Sequence, residues 1–240
     1  MIELERRDDV FVLTMVDDEN RWSTSFTREY AKALDTVEAS SGPAALVTAS
    51  AHAKFFSNGL DLDWVSSGGE HPGGDRAVFG GEFMTLMGRI ITLPVPTIAA
   101  VNGHAFGAGM MTALAHDVRL MREDRGFICA NELQIGMTIP APEVALMKHK
   151  IPAPAFHETV MLAKRWTAPA AVAAGFVEAA LPLEDLHDAA LTRAAELAPL
   201  ATNRENYGGQ KETLYGASAA LNQVHGPAHM LKNSADFRSH

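Results

Sequence analysis

The sequence is short of cysteine and of long hydrophobic runs, and each shortage excludes a class of protein. It contains one cysteine, Cys129, so an intramolecular disulfide framework is excluded. Cys129 could be a nucleophile, but it lies in the apolar run 127–130, which favours a buried structural thiol. No run approaches the ~18 apolar residues that a membrane-spanning helix requires.

The two ends of the chain carry no recognisable targeting segment. Residues 1–9 are charged and lack the apolar core of a secretory signal. Residues 236–240 contain no retention or peroxisomal tripeptide. We therefore predict a cytoplasmic protein that has no membrane partner.

Basic residues are also few relative to acidic ones. The chain has 20 Lys and Arg against 29 Asp and Glu, which gives a net charge of −9. Nucleic-acid binding needs a concentrated basic face that neutralises phosphates, so no nucleic-acid partner is expected. Local basic residues could still hold one phosphorylated ligand.

Hydrophobic residues are plentiful, at 47% of the 240 residues, which is enough for the buried core of one larger domain, or of one domain plus a small helical extension. The apolar pattern predicts strands at 10–15, 44–48, 97–101, 117–121 and 126–130, and helices at 25–39, 81–93 and 108–115. From residue 142 onward the chain is predicted to be largely helical, with one short apolar stretch at 176–180. Strands that alternate with helices indicate parallel pairing through crossover helices, so we predict the α/β class.

Two glycine-bearing turns, at 55–62 and 102–109, stand out from this pattern. Glycine lets the backbone turn tightly and approach a ligand closely. A turn that opens a helix also directs unpaired N–H groups at whatever lies in front of it. Each turn alone is more often only a site of tight packing. Neither is a phosphate-binding loop, because the Gly-Lys-Ser/Thr that such a loop requires is missing.

The ordered set of motifs resembles the crotonase, or enoyl-CoA hydratase/isomerase, superfamily. The landmarks are Asn20-Arg21-Trp22-Ser23, Phe56-Ser57-Asn58-Gly59-Leu60-Asp61-Leu62, Pro96 to Gly103, Gly107-Ala108-Gly109, Asp117, Asn131 to Gly136, Ile139-Pro140 and Ala173 to Val177. They cover nearly the whole chain. The resemblance implies a crotonase-like spiral of strand-strand-helix units over 1–180, with the coenzyme A site and the oxyanion hole. It also implies a helical C-terminal region, 181–240, that contributes to contacts in a homotrimer or a dimer of trimers.

The resemblance implies an acyl-CoA substrate whose thioester oxygen is held by two backbone N–H groups, those of Leu60 and Ala108. Removal of a proton next to a thioester places charge on that oxygen, and preorganised donors stabilise the resulting enolate. Coenzyme A is then part of the substrate, and no separate cofactor is expected. The predicted substrate pocket consists of Asn58, Gly59, Asp61, Trp64, Gly107, Met111 and Ile139.

The predicted catalytic base is Glu132. Hydratases of the family carry two glutamates, and here the first of those positions is Met111. A lone carboxylate suits the movement of a proton from one carbon to another, and an apolar partner keeps water away from the enolate. The motifs are closest to those of the Δ3,Δ2-enoyl-CoA isomerases, which implies conversion of a 3-enoyl-CoA to a 2-enoyl-CoA.

Several alternatives stay open. Glu143 stands where the family usually has a small residue; it could be a second acid, or it could only be an acidic residue in a first helical turn. A hydratase that uses both glutamates, an acyl-CoA hydrolase and a non-catalytic acyl-CoA-binding paralogue are the competing functions. No metal site is predicted, because His225 and His229 are separated by Gly-Pro and lack a third ligand. Lys54 and Lys211 are candidates for contacts with coenzyme A phosphates.

Overall fold

The computed structural model describes residues 1–67, 76–216 and 226–237. His225 and part of the glycine-rich stretch 66–81 lie outside these described residues. Across the described ranges, no helix is long and apolar enough to cross a membrane. Within the same ranges, no group of three His, Cys, Asp or Glu side chains is placed to hold a metal ion.

The larger of two sheets has six strands in the order β1-β2-β3-β5-β7-β9. These strands are β1 (Ile2–Arg7), β2 (Val10–Met15), β3 (Ala45–Ser50), β5 (Thr97–Val101), β7 (Val118–Arg122) and β9 (Ala179–Leu181). β1 and β2 form an antiparallel hairpin, and every other pairing is parallel. The central strands read as continuous apolar runs because both of their faces are covered.

The smaller sheet positions the glycine turns. It consists of three short parallel strands in the order β4 (Phe55–Ser57), β6 (His104–Phe106) and β8 (Ile128–Cys129). The chain passes from β3 to β4, from β5 to β6 and from β7 to β8, and each pass is followed by a helical segment. Repetition of this unit brings the turns that follow β4, β6 and β8 to one edge of the small sheet.

Helices cover both faces of the larger sheet. The described helices are α1 (Thr24–Glu38), α2 (Leu62–Ser66), α3 (Arg76–Ile91), α4 (Ala108–Ala115), α5 (Ala141–Lys150), α6 (Ala153–Leu162), α7 (Ala168–Ala173), α8 (Leu183–Leu197), α9 (Arg204–Tyr215) and α10 (Pro227–Lys232). Residues of β2 alternate between two cores, as the period of a strand requires. Phe11 and Leu13 join the main core, whereas Val10 and Val12 pack in a second core beneath α8.

The long predicted elements are confirmed within a few residues, and the strand at 97–101 and the helix at 108–115 have the predicted bounds. Several short or exposed elements do not follow from the apolar pattern. β1 reads Ile-Glu-Leu-Glu-Arg-Arg and is mostly exposed, so it lacks the apolar signal of a buried strand. β4, β6 and α2 have three to five residues, which is too short for a period to show.

The C-terminal region packs closely on the rest of the chain. α8 lies on the larger sheet, and α10 contacts α3 and α5. The division at residue 180 and the contacts between subunits stay predictions. One prediction for this region is wrong: Lys211 on α9 is buried, with its Nζ 2.7 Å from Asp117 Oδ2. A lysine held in an internal ion pair is not available for a coenzyme A phosphate.

Candidate active site

The first glycine turn follows β4 and is fixed by main-chain bonds to Trp22. The Trp22 N–H donates to the Gly59 carbonyl at 2.8 Å, and the Asp61 N–H donates to the Trp22 carbonyl at 3.0 Å. This is a parallel bridge between Trp22 and Leu60. In such a bridge Trp22 bonds to the residues on either side of Leu60. The Leu60 N–H therefore points away from Trp22 and remains available to a ligand.

The second turn ends at the start of α4. Gly107 has φ of +48°, a conformation that favours glycine, and its N–H donates to the Cys129 carbonyl. Ala108 is the first residue of the helix. Its N–H therefore has no acceptor within the helix and lies at the positive end of the helix dipole.

Glycine is required where the two turns meet. A Cβ atom added at Gly59 would lie 2.7 Å from the carbonyl oxygen of Phe106 and 3.8 Å from the nitrogen of Ala108. The first distance is too short for any real side chain, so only glycine permits this approach. The close contact places the backbone N–H groups of Leu60 and Ala108 on neighbouring turns, as an oxyanion hole requires.

Glu132 faces the second turn. It begins the 3₁₀ turn Glu132–Ile135 that follows β8, and a Cβ atom at Gly107 would be 3.2 Å from its Oε1. The side chain is 9% exposed, and its Oε2 has no hydrogen-bond partner among the described residues. Burial raises the pKa of this carboxyl above its ordinary value. A buried carboxyl with one unpartnered oxygen, beside a backbone donor, is suited to proton transfer.

These groups open into one cavity of about 400 Å³. Both glycine turns, Glu132 and Glu143 form part of its wall. The remaining wall is mainly apolar and consists of Leu62, Phe79, Gly80, Phe83, Met84, Ile135, Met137 and Pro140, together with Arg21, Asn131 and Thr138. Such a cavity fits an apolar chain that is attached to one polar group.

Glu143 lies in the first turn of α5, as predicted, but it is not at the surface. Its side chain is 8% exposed and lines the cavity. Within the described ranges its carboxyl makes no hydrogen bond or ion pair. Burial, together with the negative charge of Glu132, raises the pKa of Glu143 to about 8. The site thus contains two buried carboxyl groups, and burial raises the pKa of both.

Of the seven predicted pocket residues, Asn58, Gly59 and Gly107 line the cavity, and the other four lie outside its wall. Asp61 caps α2, and its Oδ1 accepts a hydrogen bond from the Trp64 N–H at 3.0 Å. Trp64 and Met111 are completely buried, and Ile139 packs at the margin of the main core. Met111 therefore acts through packing behind the site.

The wall contributed by α3 was largely missed from the sequence. Phe79, Gly80, Phe83 and Met84 all line the cavity, and none of them belongs to the predicted pocket. The apolar spacing of α3 gives a signal for a buried face. It does not show that part of this face meets a cavity.

Several other polar side chains make contacts that stabilise the fold. Cys129 is buried and its thiol donates to the Ala163 carbonyl; burial raises its pKa to about 11, which agrees with a structural thiol. Ser57 is buried, and its hydroxyl donates to the Asn20 carbonyl. His104 Nδ1 accepts a hydrogen bond from the Phe127 N–H. Lys54 lies over the Phe55 ring.

The spiral of strand-strand-helix units, with two glycine turns facing a buried carboxylate, defines a protein of the crotonase-like fold class. The family described as enoyl-CoA hydratase/isomerase matches residues 5–213, and the chain belongs to this family. An Arabidopsis thaliana protein named enoyl-CoA delta isomerase 3 is 33% identical over 90% of this chain and 92% of its own length.

Solved structures are similar over almost the whole chain. An enoyl-CoA isomerase of Mycobacterium tuberculosis matches with a TM-score of 0.80 and 25% identity over 98% of both chains. A structure from the same organism described as a probable enoyl-CoA hydratase also has a TM-score of 0.80, with 26% identity over 98% of this chain and 95% of that one. The α/β fold that the motifs implied is thereby confirmed.

Proposed function

We propose that the protein is an enoyl-CoA isomerase that converts a 3-enoyl-CoA to a 2-enoyl-CoA. The observation that carries this proposal is the position of Glu132. Its Oε1 lies against Gly107, the residue before the Ala108 donor, and its Oε2 has no partner in the described part of the chain. The name of the Arabidopsis relative supports the same reaction.

In the proposed reaction the Leu60 and Ala108 N–H groups hold the thioester oxygen. Glu132 removes a proton from C2, and the charge that develops on the oxygen is stabilised by the two donors. Donors of this kind contribute about 10²–10³ each to the rate. Return of a proton to C4 completes the shift of the double bond.

The surroundings of Met111 favour isomerisation over hydration. A family hydratase has a glutamate at this position, and here the position is occupied by a fully buried methionine. The methionine can neither orient nor deprotonate a water molecule. The apolar cavity wall likewise favours a reaction from which water is excluded.

Hydration by Glu132 together with Glu143 is the second candidate function. It is favoured by one observation, the presence of the Glu143 carboxyl in the same cavity wall. An acyl-CoA hydrolase and a binding protein without turnover have no comparable support in the site. The acyl-CoA substrate, the absence of a separate cofactor, the homotrimer or dimer of trimers and the cytoplasmic location remain parts of the proposal.

The test is to incubate the purified protein with a 3-enoyl-CoA and, separately, with a 2-enoyl-CoA, and to follow both by chromatography with mass detection. Migration of the double bond in the first without addition of water to the second is the expected result. Addition of water to the 2-enoyl-CoA would support the two-glutamate hydratase instead. Absence of both reactions would leave an acyl-CoA-binding protein.

A further inference from the structure

Glu143 is an unusual residue for the wall of an apolar cavity. A carboxyl group that is more than nine-tenths buried normally has a hydrogen-bonded or charged partner, because burial without one is costly. No such partner exists for Glu143 within residues 1–67, 76–216 and 226–237. The open side of the carboxyl is the cavity, so a partner would have to come from the ligand.

The cavity wall includes three ionisable side chains, those of Arg21, Glu132 and Glu143. The Arg21 guanidinium is already paired with Glu19 and Asp63, at 2.8 and 3.0 Å. The two glutamates are the remaining ionisable side chains of this wall. The charge of Glu132 raises the pKa of Glu143 in the same apolar cavity, so Glu143 is the carboxyl that stays neutral near neutral pH.

The proton resides on Glu143. Its burial and the charge of Glu132 both favour the neutral form, and the pKa of about 8 keeps Glu143 protonated at pH 7. Glu132 is the carboxyl that faces Gly107 and the oxyanion donors, which places it to remove the C2 proton. Where the surroundings of two carboxyl groups differ in this way, one of them acts as the base and the other as the acid.

We propose that Glu143 is the catalytic acid of a two-carboxylate relay, in which Glu132 removes the C2 proton and Glu143 supplies the proton to C4. This inference rests on the proposed isomerase function. The C2–H bond breaks toward Glu132, the electron pair passes through the dienolate, and the Glu143 O–H bond breaks as the new C4–H bond forms. The proton on Glu132 then passes to the Glu143 carboxylate, directly or through water, and the starting state is restored without any co-reactant.

The relay differs from a single-base shuttle in the origin of the C4 hydrogen. The test uses a 3-enoyl-CoA with two deuterium atoms at C2, converted in ordinary water with enzyme in excess so that each site turns over once, and the product is analysed by mass. A single base returns the abstracted deuterium to C4, so the product keeps both labels. The relay delivers a proton from Glu143, so the first product has lost one label; a sample without enzyme corrects for spontaneous exchange.

The variant Glu143→Gln separates the relay from exchange of the Glu132 proton with solvent. It preserves shape but cannot donate the proton, so we expect kcat to fall about 10²-fold and the residual product to keep both labels. Glu184→Gln is the matched control, since Glu184 occupies the first turn of α8 but is exposed. It should match the wild type in rate and label.

Each other outcome overturns a defined part of the reasoning. Wild-type product that keeps both labels shows a single-base shuttle and removes the relay, while the isomerase function stands. Loss of one label at an unchanged rate in Glu143→Gln also removes the relay, because solvent exchange at Glu132 would then be sufficient. No conversion by the wild type overturns the proposed function itself, together with the relay that depends on it.

Discussion

Replacement of Glu143 by glutamine should change how the stability of the protein depends on pH. In the folded protein the pKa of Glu143 is about 8, whereas the ordinary value is 4.5. Between these two values the folded state keeps a proton that the unfolded chain releases. Wild-type stability should therefore fall as pH rises through this window and level off above it.

The size of the effect follows from the same two values. One proton of difference changes the free energy of unfolding by about 1.4 kcal/mol per pH unit. Over the three units from pH 5 to pH 8 the free energy of unfolding therefore falls by at most about 4 kcal/mol. This value is an upper bound because relaxation around a buried carboxylate reduces the cost of ionising it. The Glu143→Gln variant loses this slope, so its stability relative to the wild type should increase across the same range.

Urea unfolding at a fixed protein concentration, repeated at several pH values, measures this slope. The control is again Glu184→Gln, which removes an exposed glutamate from the same position of another helix and should leave the wild-type slope unchanged. Equal slopes for Glu143→Gln and the wild type would refute the reasoning. Glu143 would then be ionised in the folded protein at neutral pH, and the relay would have no neutral acid.

Three further changes test the site and the core. Glu132→Gln should lower kcat by about 10²–10⁴ while a saturated acyl-CoA still binds in calorimetry; unchanged turnover would remove Glu132 as the base. Ala108→Pro removes an N–H that the helix does not use, so activity should fall by at least ~10²–10³ with little change in Tm. Retained activity in this variant would mean that the thioester oxygen binds elsewhere. Lys211→Met leaves the half-buried Asp117 carboxylate without its cation and should lower the unfolding free energy by up to about 3–5 kcal/mol in urea unfolding. Arg193→Met, which breaks an exposed pair with Glu178, should cost under ~1 kcal/mol; a similarly small loss for Lys211→Met would mean that the Thr97 hydrogen bonds suffice for Asp117.

The sequence by itself determined the long elements and the two glycine turns. The strand at 97–101 and the helix at 108–115 have strong apolar patterns, and such patterns depend mainly on neighbouring residues. Gly59 and Gly107 were recognisable because positive φ and close backbone approach exclude other residues. The burial of Cys129 followed in the same way from its apolar neighbours.

Only the tertiary structure decided which side chains meet at the cavity. Glu143 in a first helical turn reads as an exposed acid, and its burial beside Glu132 depends on how α5 packs after the 3₁₀ turn. Lys211 reads as a surface lysine, and its pairing with Asp117 joins residues that are 94 positions apart. The packing of α3 likewise decided that Phe79 and Met84 face the cavity. A sequence pattern records local preference, whereas burial and charge coupling arise from neighbours that only folding brings together.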